Sequence, residues 1–423
     1  MKARGAQPPL WRSRPGAFDM RPATLVRRKQ IDEGIHLSEG YSNAYLVVTR
    51  EGRVVINTGM GFEAPVHKEY FDSVDRSPVR YIVLTQGHVD HVGGVDCFLE
   101  PGTEVVAQAN NGPQQEYDAR LAPFRARRSA FAFAEAFKGM STPGRDGRPP
   151  VQSHPKPTIT FTDRYEFELG GERFELIGAS GAETEDSLLV WLPRRRMGFV
   201  GNVMGALFGH FPNLVTIRGD RHRDALRYVE TLDRLIALDA DMLLVGHFDP
   251  VVGRDVIRSE LLRMRGAVLF VHDAVVAAMN SGKDVYTAMR EIRLPPELEV
   301  GEGYGKVAWS ARAIWETYQG WFHARSTTEL YPVPAASVHP ELVALAGGPD
   351  AVAAAAAQHA RSAPVEALHL AEVALASDPR HRGAILASIA AHRALLDRSV
   401  NFWETRWLEK EIARLERQLA EPR

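Results

Sequence analysis

Residues 81–94 read YIVLTQGHVDHVGG, and no other stretch constrains the fold as tightly. An apolar run from Tyr81 to Thr85 passes directly into His88, Asp90 and His91, and paired glycines follow. A strand end that delivers two imidazoles and a carboxylate is a way to build a metal site, because Zn²⁺ takes nitrogen and oxygen ligands of this kind. Such a loop is useful only where other segments bring further ligands to the same edge. The chain therefore has to fold so that several strand ends converge. Gln86 is the odd member of the loop, standing where a third imidazole would complete it.

The rest of the sequence limits the alternatives. Cys97 is the single cysteine, so thiolate sites and intrachain disulfides are excluded, and a metal must be held by His, Asp, Glu or amide oxygen. With 51 Lys+Arg against 53 Asp+Glu, the formal net charge is −2. That balance argues against a nucleic-acid surface or a polybasic membrane anchor. The opening MKARGAQPPLWRSRPG has no apolar core of a secretory signal. No run reaches the ~18 apolar residues of a membrane span. The expectation is a cytoplasmic protein with no membrane and no nucleic-acid partner.

At 423 residues the chain exceeds one ordinary core. Residues 1–30 read as a poorly ordered arm. Residues 31–325 read as an α/β domain, with strands expected at 44–48, 54–56, 81–85, 104–107, 174–177, 188–192, 197–200 and 242–245. Segment 114–140 reads as helical, and the Gly/Pro-rich loop 141–157 is long enough to be functional or mobile. Beyond residue 255 the pattern is helical throughout. Residues 326–423 read as a separate all-α domain in which segments such as 364–377 and 380–396 form hairpins, without a clean repeat.

The same local pattern, apolar strand then small residue then polar candidate, recurs at four places. Thr85 leads to Gln86, His88, Asp90 and His91; strand 174–177 leads to Glu183; strand 197–200 leads to Asn202; strand 242–245 leads to His247. Active sites of layered α/β proteins gather where strand ends meet.

This order of motifs resembles the metallo-β-lactamase superfamily, whose fold is an αββα sandwich. The segments TQGHVDHVGG (85–94), GAETEDS (181–187), NLVTIRG (213–219), GHFDPVVG (246–253) and YQGWF (318–322) are similar to those of its alkylsulfatase-like branch. The helical region, including NFWETRW (401–407), resembles that branch's dimerisation domain; the branch's further carboxy-terminal lipid-carrier-like domain has no counterpart in this sequence. The resemblance implies one metal at His88 and Glu183, a second at Asp90, His91 and His247, and a homodimer. It also implies anion contacts from Asn213 and Arg218.

Four departures modify the expectation. Gln86 replaces a histidine, Asn202 stands where a bridging acid is expected, Asn57 stands at a supporting position that is often Asp, and Trp309 replaces a histidine that would contact sulfate. Arg312 stands where the branch has Lys. Asp90, His91 and His247 remain a complete three-ligand set, whereas His88 and Glu183 have only the amide of Gln86 to help them. The expectation is one firm zinc site and a second that is weak or empty, with iron or manganese as alternative metals.

A bound metal lowers the pKa of water from about 15.7 toward about 7, so the implied chemistry is attack by metal-bound hydroxide on an ester of an anionic group. Asp90 would orient the water, and Arg218 would stabilise charge with its guanidinium fork. Indole cannot shuttle a proton, so Trp309 points to a substrate other than a linear alkyl sulfate, one that is anionic or amphiphilic. The competing readings are a lyase or redox enzyme on the same scaffold and a non-catalytic dimeric binding protein.

Overall fold

The apolar runs read from the sequence are continuous rather than alternating, which is the mark of strands buried on both faces. The strands β1 (Arg28–Asp32), β2 (Ile35–Ser38), β3 (Ala44–Thr49), β4 (Gly52–Ile56), β5 (Val79–Val83), β6 (Glu104–Gln108) and β7 (Ile159–Phe161) build a seven-stranded sheet in sequence order, with that pattern clearest in β3 and β4. The pairs β1–β2, β2–β3 and β3–β4 are antiparallel, and β4–β5, β5–β6 and β6–β7 are parallel. A second sheet of six strands runs β13 (Val251–Val252), β12 (Met242–Val245), β11 (Met197–Gly201), β10 (Leu188–Leu192), β9 (Glu172–Gly178), β8 (Arg164–Leu169). Only its β11–β12 pair is parallel. The structure, a computed structural model, describes residues 8–25, 27–134, 136, 138, 151–215 and 217–421.

Period-two alternation then sorts the side chains into layers. Tyr45, Val47, Val54 and Ile56 meet Leu188, Val190, Phe199 and Leu244 between the two sheets. The residues between them, Leu46 and Val55, face outward and pack with Ala64, Phe71 and Phe98 of the helices Ala64–Val74 and Val95–Phe98. On the other side Leu189, Trp191 and Leu243 pack with Tyr228, Leu232, Leu261 and Val268 of the helices Ala225–Leu238 and Arg254–Asn280. The result is the αββα sandwich.

All eight expected strands are present, within one or two residues at their ends. The strands β1, β2, β7, β8 and β13 escaped notice because they are short, or alternate charged and apolar residues on a half-exposed surface. The expected helix 114–140 is Asn111–Ser129, followed by partly described residues; 139–140 of that helix and 141–150 of the long loop lie outside the described residues. The end of that loop is fixed: Ser153 N–H donates to Gly93 O at 2.8 Å and Gln152 Nε2 to Val89 O at 2.8 Å, which pins the HVDH loop from outside. The amino-terminal segment is likewise tied down rather than loose. Its described part forms three 3₁₀ turns, with Leu10 N–H donating to Glu260, Ala23 N–H to the buried Glu63, and Arg12 paired with Glu299 at 2.7 Å.

The chain divides into two compact units, the first ending at Thr317 and the second beginning at Tyr318, inside the helix Val307–Gln319 and ahead of the 325/326 boundary read from the sequence. The second unit is helical: His339–Leu345, Pro349–His359, Pro364–Ser377, Arg382–Leu396 and Phe402–Ala420. Its core is built from small side chains, Ala353, Ala356, Ala371, Ala374, Ala384 and Ala387, which let helices approach closely. Asn401 caps the last helix, its Oδ1 accepting from Trp403 and Glu404 N–H. Asn401→Ala is expected to cost about 1 kcal/mol, read as a lower urea midpoint with unchanged far-UV circular dichroism. Among the described residues, no helix is long and apolar enough to cross a membrane.

Candidate metal centre

The strand ends meet where the topology allows it. The carboxyl ends of the parallel pairs β4–β5 and β11–β12 carry Asn57, Gln86, Asn202 and His247, and the β9–β10 connection carries Glu183. After β5 the chain turns through Gln86 and Gly87, and His88 then caps the short helix Val89–Val92, which holds Asp90 and His91. Glycine is needed at 94, since a Cβ there would lie 2.4 Å from Thr58 O. It is needed again at 246, where a Cβ would lie 2.0 Å from Asn202 Oδ1.

Asp90, His91 and His247 form one group whose ligating atoms all lie within 4.8 Å of one another. Asp90 Oδ2 is 3.5 Å from His91 Nε2 and 3.8 Å from His247 Nε2, with the two rings edge-to-face at 5.9 Å. A tetrahedral metal with bonds of roughly 2.0–2.2 Å holds its ligand atoms about 3.3–3.6 Å apart. Both Nε2 atoms and Asn202 Oδ1 are buried without a hydrogen-bond partner, a cost that a cation would relieve. Burial pushes the His91 imidazole down to about 3, against the opposing charge of Asp90, and lowers that of His247. Neither ring is held as a cation at neutral pH, so neither opposes a metal by its own charge. The donor set fits a divalent metal.

The supporting contacts differ between the two histidines. His247 Nδ1 lies 2.6 Å from Tyr41 O, and the Tyr41 N–H in turn donates to Glu63 Oε1 at 2.9 Å. His91 Nδ1 lies 3.0 Å from Asn57 Nδ2. Ser42 Oγ donates to the Asp90 carbonyl, fixing the loop from the β2–β3 side.

The other half of the site is differently built. Gln86 Oε1 accepts from Asn202 N–H at 2.8 Å, and its Nε2 is 2.7 Å from His88 Nδ1. His88 Nδ1 is 3.7 Å from Glu183 Oε1, while His88 Nε2 is 2.7 Å from Arg218 Nη2. Glu183 Oε2 pairs with Arg223 Nη1 at 2.7 Å, both side chains buried. Arg218 also donates to Asp220 Oδ2 at 3.1 Å, and Arg125 to Asp220 Oδ1 at 3.0 Å. Burial opposes ionisation of Asp220, but His88 and Arg218 beside it hold its carboxyl far below the usual range. Two guanidinium groups thus stand against His88 and Glu183, the places where a first metal's charge would act. These donors are already engaged by the chain, and the set does not fit a second metal.

The expected substrate contacts are dispersed. Asn213 is buried and its carbonyl accepts from Arg223 Nη1 at 2.9 Å. Trp309 is half-buried with the Lys306 ammonium 5.4 Å over its ring, and Arg312 is exposed and pairs with Glu316 at 2.7 Å along the helix. Thr216, inside the NLVTIRG segment, lies outside the described residues. Tyr304 was not singled out from the sequence. Burial pushes its phenol up to about 12, and the charges of Arg218, Asp90, Glu183 and Arg223, from both halves of the site, act on it. Its only sequence signal is one aromatic among the glycines of GEGYGK.

Comparison with known proteins bears on the family and the fold. Residues 37–247 match the metallo-beta-lactamase superfamily, and residues 285–413 match the alkyl sulfatase dimerisation family. The chain belongs to the metallo-β-lactamase superfamily, in its alkylsulfatase-like branch. Within that superfamily it is 28% identical over 339 residues to a linear primary-alkylsulfatase of Pseudomonas sp., covering 74% of this chain and 62% of that protein. It is 26% identical over 338 residues to the alkyl/aryl-sulfatase BDS1 of Saccharomyces cerevisiae, covering 74% and 52%. The chain thus spans about half to three fifths of the length of these relatives. The solved structure of the stereoselective inverting sec-alkylsulfatase Pisa1 from Pseudomonas sp. superposes with a TM-score of 0.79 at 19% identity, over 93% of this chain and 66% of that one. That likeness establishes the fold.

Proposed function

We propose that this chain is a metal-dependent hydrolase of sulfuric esters that works with one divalent metal per chain, held by Asp90, His91 and His247. The observation that carries the reading is the asymmetry of the centre. One half offers two orphaned imidazole nitrogens beside a carboxylate, and the other has its donors satisfied by Gln86, Arg218 and Arg223. The alkylsulfatase names of the relatives supply the substrate class.

A divalent metal at this position supplies Lewis acidity and a nucleophile at neutral pH. The chain's own groups supply the rest. The Asp90 carboxylate, beside both imidazoles, can accept from and orient an attacking water. Arg218 stands beside His88 and supplies fixed positive charge toward an anionic ester. The Tyr304 hydroxyl stays protonated across the neutral range and can donate a hydrogen bond where negative charge develops. Trp309 cannot protonate a leaving group, so the alcohol that departs has to be a good leaving group or be protonated from Tyr304 or water.

Protein purified without chelators is expected to hold one metal ion per chain by elemental analysis, zinc being the first choice. It is also expected to release sulfate from a panel of alkyl and aryl sulfates, with loss of turnover after chelation and recovery on adding metal back. Two tightly held metals would overturn the single-site reading. Full occupancy with no sulfate released would overturn the substrate class. The dimerisation-family match supports a homodimer; sedimentation equilibrium is expected to give twice the chain mass, and a monomer would remove that assignment.

A further inference from the structure

We infer that Asn57 sets the tautomer of His91 against metal binding and so holds the affinity of the centre low. Asn57 sits just beyond β4 with φ +58°, a left-handed conformation that Asn adopts more readily than most residues. Its side chain reaches Thr85 and His91, and all three groups are buried.

The direction of the amide is decided by its neighbours. Thr85 N–H lies 3.0 Å from Asn57 Oδ1, and a backbone N–H can only donate. Rotating the amide would set its NH₂ against that N–H, two buried donors facing each other. Asn57 Nδ2 is therefore the atom that faces His91 Nδ1, at 3.0 Å, and it donates. His91 Nδ1 must then accept, which leaves the ring proton on Nε2, the atom 3.5 Å from Asp90 Oδ2 and directed at the metal position. A protonated ring nitrogen has no lone pair for a metal.

His247 has the opposite arrangement. Tyr41 O, 2.6 Å from its Nδ1, can only accept, so the proton is on Nδ1 and Nε2 is ready to ligate. A metal-ligating histidine ordinarily gives its other N–H to a carboxylate or carbonyl. His247 follows that rule and His91 breaks it. Metal binding through His91 requires moving its proton to Nδ1, and Asn57 can receive that N–H only by turning its oxygen away from Thr85. Aspartate at 57 removes the conflict, since one oxygen serves Thr85 N–H and the other serves His91 Nδ1–H with no change of shape.

The inference rests on the metal-dependent reading for its consequence, but its first test does not. Long-range ¹H–¹⁵N spectra of the metal-free protein are expected to show His91 protonated at Nε2 and His247 at Nδ1. In the Asn57→Asp protein, His91 is expected to switch to Nδ1–H. The second test is competition between the protein and a fluorescent chelator for Zn²⁺, in which Asn57→Asp is expected to bind about 10- to 100-fold more tightly, the range by which such supporting groups alter metal affinity. A wild-type His91 carrying its proton on Nδ1 overturns the proposal, and so does unchanged or weaker Zn²⁺ binding by a folded Asn57→Asp protein. If that variant does not fold, the wild-type spectrum alone decides. Absence of sulfatase turnover would overturn the functional reading and leave the tautomer assignment standing.

Discussion

An Asp90→Asn protein is expected to lose on the order of 10³-fold in kcat/KM toward a sulfate ester, equivalent to about 4 kcal/mol of transition-state stabilisation. Asp90 is the only carboxylate in the group formed with His91 and His247. Replacing it with an amide of the same shape removes the ligand charge and the acceptor that orients water, while the Ser42 contact to its main chain is kept. Metal content is expected to fall as well, and turnover normalised to bound metal separates loss of the ion from loss of a proton acceptor. Wild-type turnover with full metal occupancy would remove Asp90 from the chemistry.

The second large effect concerns stability. Arg223 and Glu183 are buried together, with 7% and 6% of their side chains exposed and a 2.7 Å contact between them. Breaking such a pair leaves an uncompensated charge in a poorly solvated place and typically costs about 3–5 kcal/mol. Arg223→Ala is expected to lower the unfolding free energy toward that amount, since Glu183 then loses its direct partner and keeps the more distant His88 and the charge of Arg218. The double change Glu183→Gln with Arg223→Met should recover most of the loss, because removing both charges removes the penalty. Chemical denaturation of the three variants measures this. A loss below about 1 kcal/mol for Arg223→Ala would place the pair in the class of solvent-screened ion pairs. In a site built for two metals, Glu183 would answer to an ion; here it answers to a side chain.

These two results bear on the same division of the centre. The half around Asp90 groups a carboxylate with two unpartnered imidazole nitrogens, and its expected failure is chemical. The half around Glu183 is held by arginines, and its expected failure is structural. Gln86 joins them, accepting from Asn202 N–H on one side and meeting His88 on the other.

The sequence alone determined a good deal of this. Ligand types, their order along the chain and their place after strands were legible because each is a local pattern: an apolar run, a small residue, a polar group. Continuous apolar strands such as Ala44–Thr49 announced burial on both faces, and Ala-rich segments after residue 350 announced close-packed helices. Gln86 and Asn202 could be read in the chain as departures among the candidate ligands. Only the tertiary structure decided who satisfies whom. Arg218 lies 130 residues from His88, and Asn202 lies 116 from Gln86; no pattern at that separation says that they touch. The amino-terminal segment looked loose because its partners, Glu260 and Glu299, lie at the far end of the domain. Tyr304 was invisible for the same reason. Asn57 is the plainest case: its identity could be read in the chain, but the direction of its amide depends on one backbone N–H of Thr85 brought beside it by parallel pairing of β4 and β5. Residue identity fixes which atoms can donate or accept, and only the fold fixes which of them face each other.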